Sequence, residues 1–363
     1  MANNRNNLEL NEYFSGPQEE TAPLHYLNIL RVLASFAVVV THVSASVLFT
    51  ATPLTSLAWW VANLGESVSR WCIPVFIMIS GALLLDPSRE YPMVCFYKKR
   101  VKRIFFPLVF WTFFYFAIRS GSGWLTITEM IQDILRGEPY YHLWYLYMIP
   151  GLYLFTPFLR TYVKYSSNKE RIVLIIMTFI LANCYLLINQ KYFGNQHSVF
   201  TVFPPYLAYY LCGYQLRLMG PRKIKLHYLV ATVMVFVLFI AMGTGISVKI
   251  FGMQKGLFLY NFLCPPVIVM SVAVFLTMYR LAYSQILSRS AMIQFVERFA
   301  QTSFGIYLLH AAIIHVMTKV IEQSDINHYS LFSVPTLAIL VFLLSYVVVS
   351  IVIRIPFLRR VVA

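Results

Sequence analysis

The chain has 363 residues, of which 59% are hydrophobic and only 12% are charged. Soluble domains carry about a quarter of charged residues, so this composition excludes an ordinary water-soluble protein. The net charge of +15 could indicate a nucleic-acid partner. However, most Lys and Arg lie at alternate ends of apolar segments, as the positive-inside rule predicts for membrane proteins. We therefore expect membrane lipid, and no nucleic acid, as a partner.

About ten apolar stretches are long enough to cross a bilayer core of about 30 Å as helices. They lie near residues 27–49, 57–85, 104–119, 141–159, 172–189, 199–218, 228–246, 258–279, 299–319 and 332–353. The predicted fold is all-α: a polytopic integral membrane bundle of about ten transmembrane helices, with both termini cytoplasmic. Residues 1–23 form a polar cytoplasmic tail, 24–356 the transmembrane domain and 357–363 a short basic cytoplasmic tail.

The first stretch carries two ionisable residues, Arg31 and His42, eleven positions apart. That spacing corresponds to about three turns and a rise of about 16 Å, so both lie on one helix face. Ionisable groups within a membrane span are functional candidates, and a neutral imidazole can act as a general base. Alternatively, Arg31 anchors the helix at the interface and His42 bonds a neighbouring helix.

The second stretch contains Glu66 and Arg70, four positions apart, a spacing that favours an ion pair on a helix. Pro74 follows and predicts a kink, so the pair and the kink together indicate a polar cavity. The alternative is that both residues anchor the helix at the membrane interface. Ser80 and Gly81 indicate close helix packing rather than a nucleophile.

After this stretch, Arg100 and Arg103 stand three positions apart in a basic segment that also contains Lys99 and Lys102. Two guanidinium groups at this spacing could hold one phosphate group from one helix face. Membrane topology alone also predicts basic residues here, and the sequence leaves that alternative open. Further on, residues 127–137 have apolar residues at helical spacing and predict an amphipathic interfacial helix.

Histidines occur in two later stretches. His142 and Trp144 open the fourth stretch, where an interfacial aromatic belt is the ordinary explanation. His310 and His315 are five positions apart and lie on different helix faces, so no metal site is predicted. The five widely spaced cysteines indicate neither disulfides nor zinc.

Five segments in this order resemble the acyltransferase-3 family of membrane O-acyltransferases. They are LNILRVLASFAVVVTHVS, RWCIPVFIMISGALL, KKRVKRIFFPLVFW, HLWYL and SFGIYLLH. We expect no extracellular hydrolase-like domain of the kind fused to some members, so that the chain is similar to the short standalone type, such as the enterobacterial common antigen O-acetyltransferases. The resemblance implies a bacterial cytoplasmic (inner) membrane enzyme. It would move an acyl group, with acetyl expected, from cytoplasmic acyl-CoA to a hydroxyl of an envelope or secreted glycan.

The resemblance also implies roles for single residues. His42 falls on the family's essential histidine and Arg31 on its partner arginine, whereas Asn28 stands where an aspartate is common. The donor-binding candidates are Arg100, Arg103, Lys99, Lys102 and Arg70. The candidates for acceptor or channel contacts are Glu66, His142, Trp144, Tyr307 and His310.

We expect no permanently bound cofactor, with acetyl-CoA or another acyl-CoA as co-substrate and a glycan or lipid-linked sugar as acceptor. The sequence leaves open direct transfer or an acyl-histidine intermediate, and a monomer or a homo-oligomer. The alternative function is an exporter of a glycan or lipid-linked sugar. Transporters commonly contain related halves, and we find no internal repeat, which favours the enzyme.

Overall fold

The computed structural model consists of α-helices joined by short connections, and its described residues contain no strand. The predicted all-α fold is therefore confirmed. The described residues are 25–49, 54–88, 92–121, 123, 125–194, 197–220, 224–283, 290–323 and 333–362. The predicted tail of residues 1–23 lies outside them.

The helices are numbered here in chain order. They are α1 (His25–Phe49), α2 (Leu57–Ser69), α3 (Cys72–Leu84), α4 (Met93–Ser120), α5 (Ile127–Arg136), α6 (Trp144–Tyr165), α7 (Asn168–Tyr192), α8 (Leu207–Met219), α9 (Leu226–Gly256), α10 (Pro265–Tyr283), α11 (Ser290–Gln323), α12 (Ser333–Val352) and α13 (Arg359–Val362). Two short 3₁₀ helices, Pro204–Tyr206 and Leu257–Tyr260, precede α8 and α10.

Seven helical segments of the described chain are long and apolar enough to cross a membrane. They are His25–Phe49, Leu57–Leu84, Met93–Ser120, Asn168–Tyr192, Leu226–Ala282, Val296–Ile321 and Val334–Val352. The predicted span near 199–218 is shorter than expected, because α8 has 13 residues. Such a helix measures about 20 Å, less than a bilayer core of about 30 Å. The exact number of spans and the cytoplasmic termini stay predictions.

Helix α1 lies at the centre of the bundle, where it packs against α2, α3, α10, α11 and α12. Apolar side chains on several of its faces are buried, among them Leu27, Leu30, Val39 and Val43. A helix that is apolar on all sides is buried by its neighbours. Arg31 and His42 therefore face the protein interior rather than lipid.

The predicted kink in the second stretch is a break between α2, which ends at Ser69, and α3, which begins at Cys72. Pro74 accounts for it, because its ring would clash with the carbonyl group of residue 70 in a continuous helix. Farther along α3, a Cβ atom on Gly81 would lie 1.8 Å from the backbone oxygen of Tyr210 in α8. Only glycine permits this approach, so the predicted close packing at Gly81 is confirmed.

The amphipathic helix predicted over 127–137 is confirmed as α5. Its start is fixed by a capping box, in which Thr126 and Glu129 exchange side-chain and backbone hydrogen bonds. The backbone N–H of Thr126 lowers the pKa of the exposed Glu129 carboxyl below its ordinary value. The helix ends at Gly137, which has a φ of 78°, a conformation that favours glycine.

The C-terminal residues described, up to Val362, pack against the bundle, and the cytoplasmic location of the short basic tail predicted for 357–363 stays a prediction. Helix α13 contacts α4 and α11, and Val361 and Val362 are buried. The indole N–H of Trp111 donates a 2.8 Å hydrogen bond to the Val361 carbonyl. The two apolar residues after the arginines explain this packing, since burial removes their side chains from water.

Candidate active site

A cavity of about 540 Å³ brings together three of the predicted arginines, and we call it the basic cavity. Arg31 enters it from α1, and Arg100 and Arg103 enter it from α4. Glu297 of α11 also lines it and lies 3.6 Å from His25. Three arginines against one partly compensated carboxylate make this cavity suited to an anion.

Two lysines of the same basic segment lie outside the lining of the basic cavity. Lys99 and Lys102 are exposed and are not among the residues that line the basic cavity. Their position follows from helix geometry, because Arg100 and Arg103 share one face and the residues beside them point elsewhere. Of the four predicted donor-binding cations in this segment, only the two arginines therefore line the basic cavity.

Two arginines of the basic cavity, Arg31 and Arg100, contact neighbouring side chains. Arg31 donates a 3.2 Å hydrogen bond to the amide oxygen of Asn28, one turn earlier in α1. Asn28 thus contacts Arg31 although it lacks the charge of the aspartate that is common there. The Arg100 guanidinium lies over the rings of Phe96 and Tyr153, at 5.5 and 5.3 Å. These contacts orient the cations toward the cavity without neutralising them.

A second cavity, of about 200 Å³, surrounds His42, and we call it the histidine cavity. Its lining includes Glu66 and Arg70 from the α2–α3 break, and His142 and Trp144 from the start of α6. His42 makes no hydrogen bond to any residue that the structure describes. Its ring nitrogens are therefore available to a substrate or to water.

The ion pair predicted between Glu66 and Arg70 is confirmed. Glu66 is 2% exposed, so the alternative of an interfacial anchor is wrong for it. The Arg70 guanidinium also lies over the rings of Tyr260 and Phe262, at 4.7 and 5.4 Å. Arg70 thus lines the histidine cavity and not the basic cavity, which separates it from the other predicted donor-binding residues.

The interfacial belt considered for His142 and Trp144 is not observed. His142 is 1% exposed, and Trp144 is half-buried with its ring near those of Tyr206 and Phe262. Both residues line the histidine cavity. The sequence position of both residues fits an interfacial belt and a cavity lining equally well. Only the packing between helices distinguishes a belt from a cavity lining.

Three histidines from distant parts of the chain meet beside the histidine cavity. The ring centroids of His42 and His310 are 5.2 Å apart, those of His142 and His310 are 5.0 Å apart, and those of His42 and His142 are 6.4 Å apart. Within the described residues no group of three or more His, Cys, Asp or Glu side chains is arranged to hold a metal ion.

The hydrogen bonds of His310 define its tautomer. Its Nδ1 atom lies 2.6 Å from the Tyr307 carbonyl oxygen and 3.2 Å from that of Ile306. Because carbonyl oxygens only accept, Nδ1 carries the proton and donates it. In the neutral ring, Nε2 is then an unprotonated acceptor, and it is buried without a partner in the described chain. His310 can therefore accept a hydrogen bond at Nε2 beside His42.

Tyr307 connects the two cavities, because it lines both of them. Its hydroxyl donates a hydrogen bond to the carbonyl of His142, which fixes the ring between α11 and the start of α6. Arg31 and His42 thus serve different cavities at an axial separation of about 16 Å along α1.

Two residues near the histidines were not predicted. The Tyr115 hydroxyl donates to the carbonyl of Leu308 at 2.6 Å and accepts from the N–H of Ala312 at 3.2 Å. It therefore bridges the turn of α11 that carries His310. The ring of Tyr141 lies 4.8 Å from that of His42. Both tyrosines occur in aromatic-rich runs, which give no signal for single positions.

The fold and these cavities define a multi-pass membrane protein with an internal polar site. Residues 24–355 match the family model described as an acyltransferase domain, that of the acyltransferase-3 family. The chain belongs to this family and is a membrane acyltransferase. No curated protein and no solved structure matched the chain in the comparisons made. The family match does not favour the exporter alternative.

Proposed function

We propose that this protein transfers an acyl group, with acetyl expected, from cytoplasmic acyl-CoA to a hydroxyl of an envelope or secreted glycan. The proposed location is the bacterial cytoplasmic membrane. The observation that carries the proposal is the pair of cavities joined at Tyr307, one with three arginines and one with His42.

The basic cavity has the properties of a donor site. CoA carries phosphate groups at one end and a thioester at the end of a long, narrow arm. Arg100 and Arg103 would hold the phosphates, and Arg31 would bind the donor farther along the cavity. A volume of about 540 Å³ lies within the roughly 300–1,000 Å³ of small-molecule sites. The thioester would pass Tyr307 and reach the histidine cavity.

The histidine cavity has the groups that acyl transfer requires. An unprotonated ring nitrogen of His42 would accept the proton of the acceptor hydroxyl while the hydroxyl oxygen attacks the thioester carbon. Arg70 lines the same cavity and would stabilise the negative charge that develops on the carbonyl oxygen. The carbon–sulfur bond then breaks, and the CoA sulfur receives the proton from His42. The products are an ester and a free thiol.

A covalent acyl-histidine is the alternative route. The two routes differ in a single turnover with radiolabelled acetyl-CoA and purified protein, without acceptor. Direct transfer predicts no label on the protein after rapid denaturation at neutral pH. Label on a peptide that contains His42 would establish the covalent route.

The function itself is tested by mass spectrometry of envelope glycans from cells with the protein, without it, and with His42→Ala. The proposal predicts an ester-linked acyl group that is present only with the wild-type protein. Unchanged acylation together with altered glycan export would contradict it and favour an exporter. Detection of His42→Ala in the membrane fraction at the wild-type level controls for insertion.

A further inference from the structure

Two further cavities, each of about 300 Å³, adjoin the histidine cavity, and we call them together the amide cleft. One is lined by Gln190 and Gln254 and the other by Asn189, while Asn261 lines both. Tyr206 is also common to both, so the two cavities are neighbouring parts of one cleft. None of these residues has a role in the mechanism above.

The amide cleft borders the histidine cavity through shared walls. Phe262 lines all three cavities. Trp144 lines the histidine cavity and the Asn189 part of the cleft, and Arg70 lines the histidine cavity and the Gln190 part. A molecule whose reacting hydroxyl lies beside His42 can therefore extend into the amide cleft.

The polar groups of the cleft are available for binding. The side chains of Asn189, Gln190 and Gln254 make no hydrogen bond to any residue in the described part of the chain. Asn189 is only 9% exposed, so its amide is turned toward the cavity rather than bulk solvent. Buried polar groups normally have partners, and side-chain amides can both donate to and accept from hydroxyl groups.

Aromatic rings form the apolar part of the lining. The rings of Trp144 and Phe262 are stacked at 5.9 Å, and the rings of Trp144 and Tyr206 are 5.5 Å apart. Ligand sites commonly combine aromatic surfaces with a few polar groups that fix orientation. A sugar ring presents C–H groups on its faces and hydroxyl groups around its edge, so it fits this combination.

The charges at the cleft are paired. Arg70 is bound to Glu66, and Glu138 lies 2.7 Å from His197. Such pairs have little net charge to attract an ionic ligand, unlike the basic cavity, although Arg70 can still donate hydrogen bonds to an oxygen atom. An acyl chain in the cleft would leave these amides without hydrogen-bond partners, which argues against a lipid tail.

We infer that the amide cleft binds neutral sugar units next to the unit that is acylated, and so selects glycan acceptors of two or more units. This inference rests on the proposed function. It deepens that function by assigning residues and a chain-length requirement to the acceptor.

The first test uses the double variant Asn189→Leu with Gln190→Leu, which keeps side-chain size but removes hydrogen bonding. Acylation of envelope glycans in cells should fall by about 10-fold or more, because two hydrogen bonds are lost. Binding of acetyl-CoA to the purified protein should not change. Asn183→Leu is the control, because this side chain of α7 already donates to the Phe179 carbonyl at 2.9 Å. It should retain both acylation and acetyl-CoA binding.

Wild-type acylation in the double variant would overturn the inference. The proposed function would still stand if His42→Ala abolished acylation in the same cells, so the two failures are distinguishable. If the double variant also lost acetyl-CoA binding, misfolding would explain its defect, and a second test would decide.

That test uses only the wild-type protein and glycan fragments of defined length from the envelope of cells that lack it. The kcat/KM for acylation should be several-fold higher for fragments of two or more units than for the single unit. Equal kcat/KM values at all lengths would overturn the inference.

Discussion

The basic cavity and the histidine cavity are both lined by α1, yet they differ in size, charge and chemistry. The basic cavity is the larger and contains three arginines against one carboxylate, that of Glu297. The histidine cavity is smaller, its arginine is paired with Glu66, and histidine rings surround it. The difference supports the proposed division between binding of the donor and acyl transfer. One helix can serve both because Arg31 and His42 share a face about 16 Å apart.

Among substitutions that test the difference between the two cavities, the largest effect on acyl transfer is expected at His42. His42→Ala should lower acyl transfer by about 100- to 10,000-fold, the usual contribution of a general base. The measurement is the initial rate of transfer from radiolabelled acetyl-CoA to envelope glycans in reconstituted membranes. His315→Ala is the matched control, since His315 is on α11 but lines neither cavity described above. Equal rates for the two variants would refute the assignment.

Breaking the ion pair in the histidine cavity should lower the stability of the folded protein. Glu66→Gln leaves Arg70 buried without its carboxylate, and loss of one partner of such a pair costs about 3–5 kcal/mol. The melting temperature of the detergent-solubilised protein should fall accordingly. Glu66→Gln combined with Arg70→Met should recover much of this loss but remain inactive. Recovery of activity in the double variant would remove Arg70 from the mechanism.

Removing an arginine from the basic cavity should weaken binding of the acyl donor. Arg100→Ala or Arg103→Ala should raise the KM for acetyl-CoA by about 10- to 100-fold, since a charged hydrogen bond contributes about 1.5–3 kcal/mol. The effect on kcat should be smaller, because the reacting groups lie in the other cavity. Lys99→Ala and Lys102→Ala provide controls of the same charge on the same helix. An equal rise in KM for the lysine variants would mean that general surface charge, not the cavity, binds the donor.

The smallest effect is expected at Tyr115, which positions His310 through the backbone of α11. Tyr115→Phe removes two hydrogen bonds to this turn and should lower kcat by roughly 3- to 10-fold, with KM for acetyl-CoA nearly unchanged. Tyr147→Phe is the control, because its hydroxyl bonds Thr112 between α4 and α6 at 2.8 Å. Both variants should lose similar stability. An equal loss of kcat in both would assign Tyr115 a purely structural role.

The sequence predicts local features of this molecule well. Apolar stretches locate most of the helices, because length and hydropathy are properties of each segment alone. The spacing of Glu66 and Arg70 predicts their ion pair, and that of Arg100 and Arg103 predicts their shared face. Pro74 likewise predicts the break before α3. Each of these follows from residues within one or two helical turns.

Features that depend on contacts between distant helices could not be predicted. His310 lies beside His42 because α11 packs against α1, although 268 positions separate them in the chain. The assignment of Arg70 to the histidine cavity depends on the direction of the chain after the α2–α3 break. The polar amides of the amide cleft lie at helix ends and in loops, where no periodicity distinguishes them.

The division between the cavities is tested most directly by measuring acetyl-CoA binding and acyl transfer in the same two variants, His42→Ala and Arg100→Ala, in reconstituted membranes. The account predicts that His42→Ala binds acetyl-CoA with wild-type affinity but does not transfer the acyl group. It predicts that Arg100→Ala binds acetyl-CoA at least about 10-fold more weakly, yet approaches the wild-type rate at saturating donor. If His42→Ala loses acetyl-CoA binding, or if Arg100→Ala binds acetyl-CoA normally, the two cavities do not separate donor binding from acyl transfer.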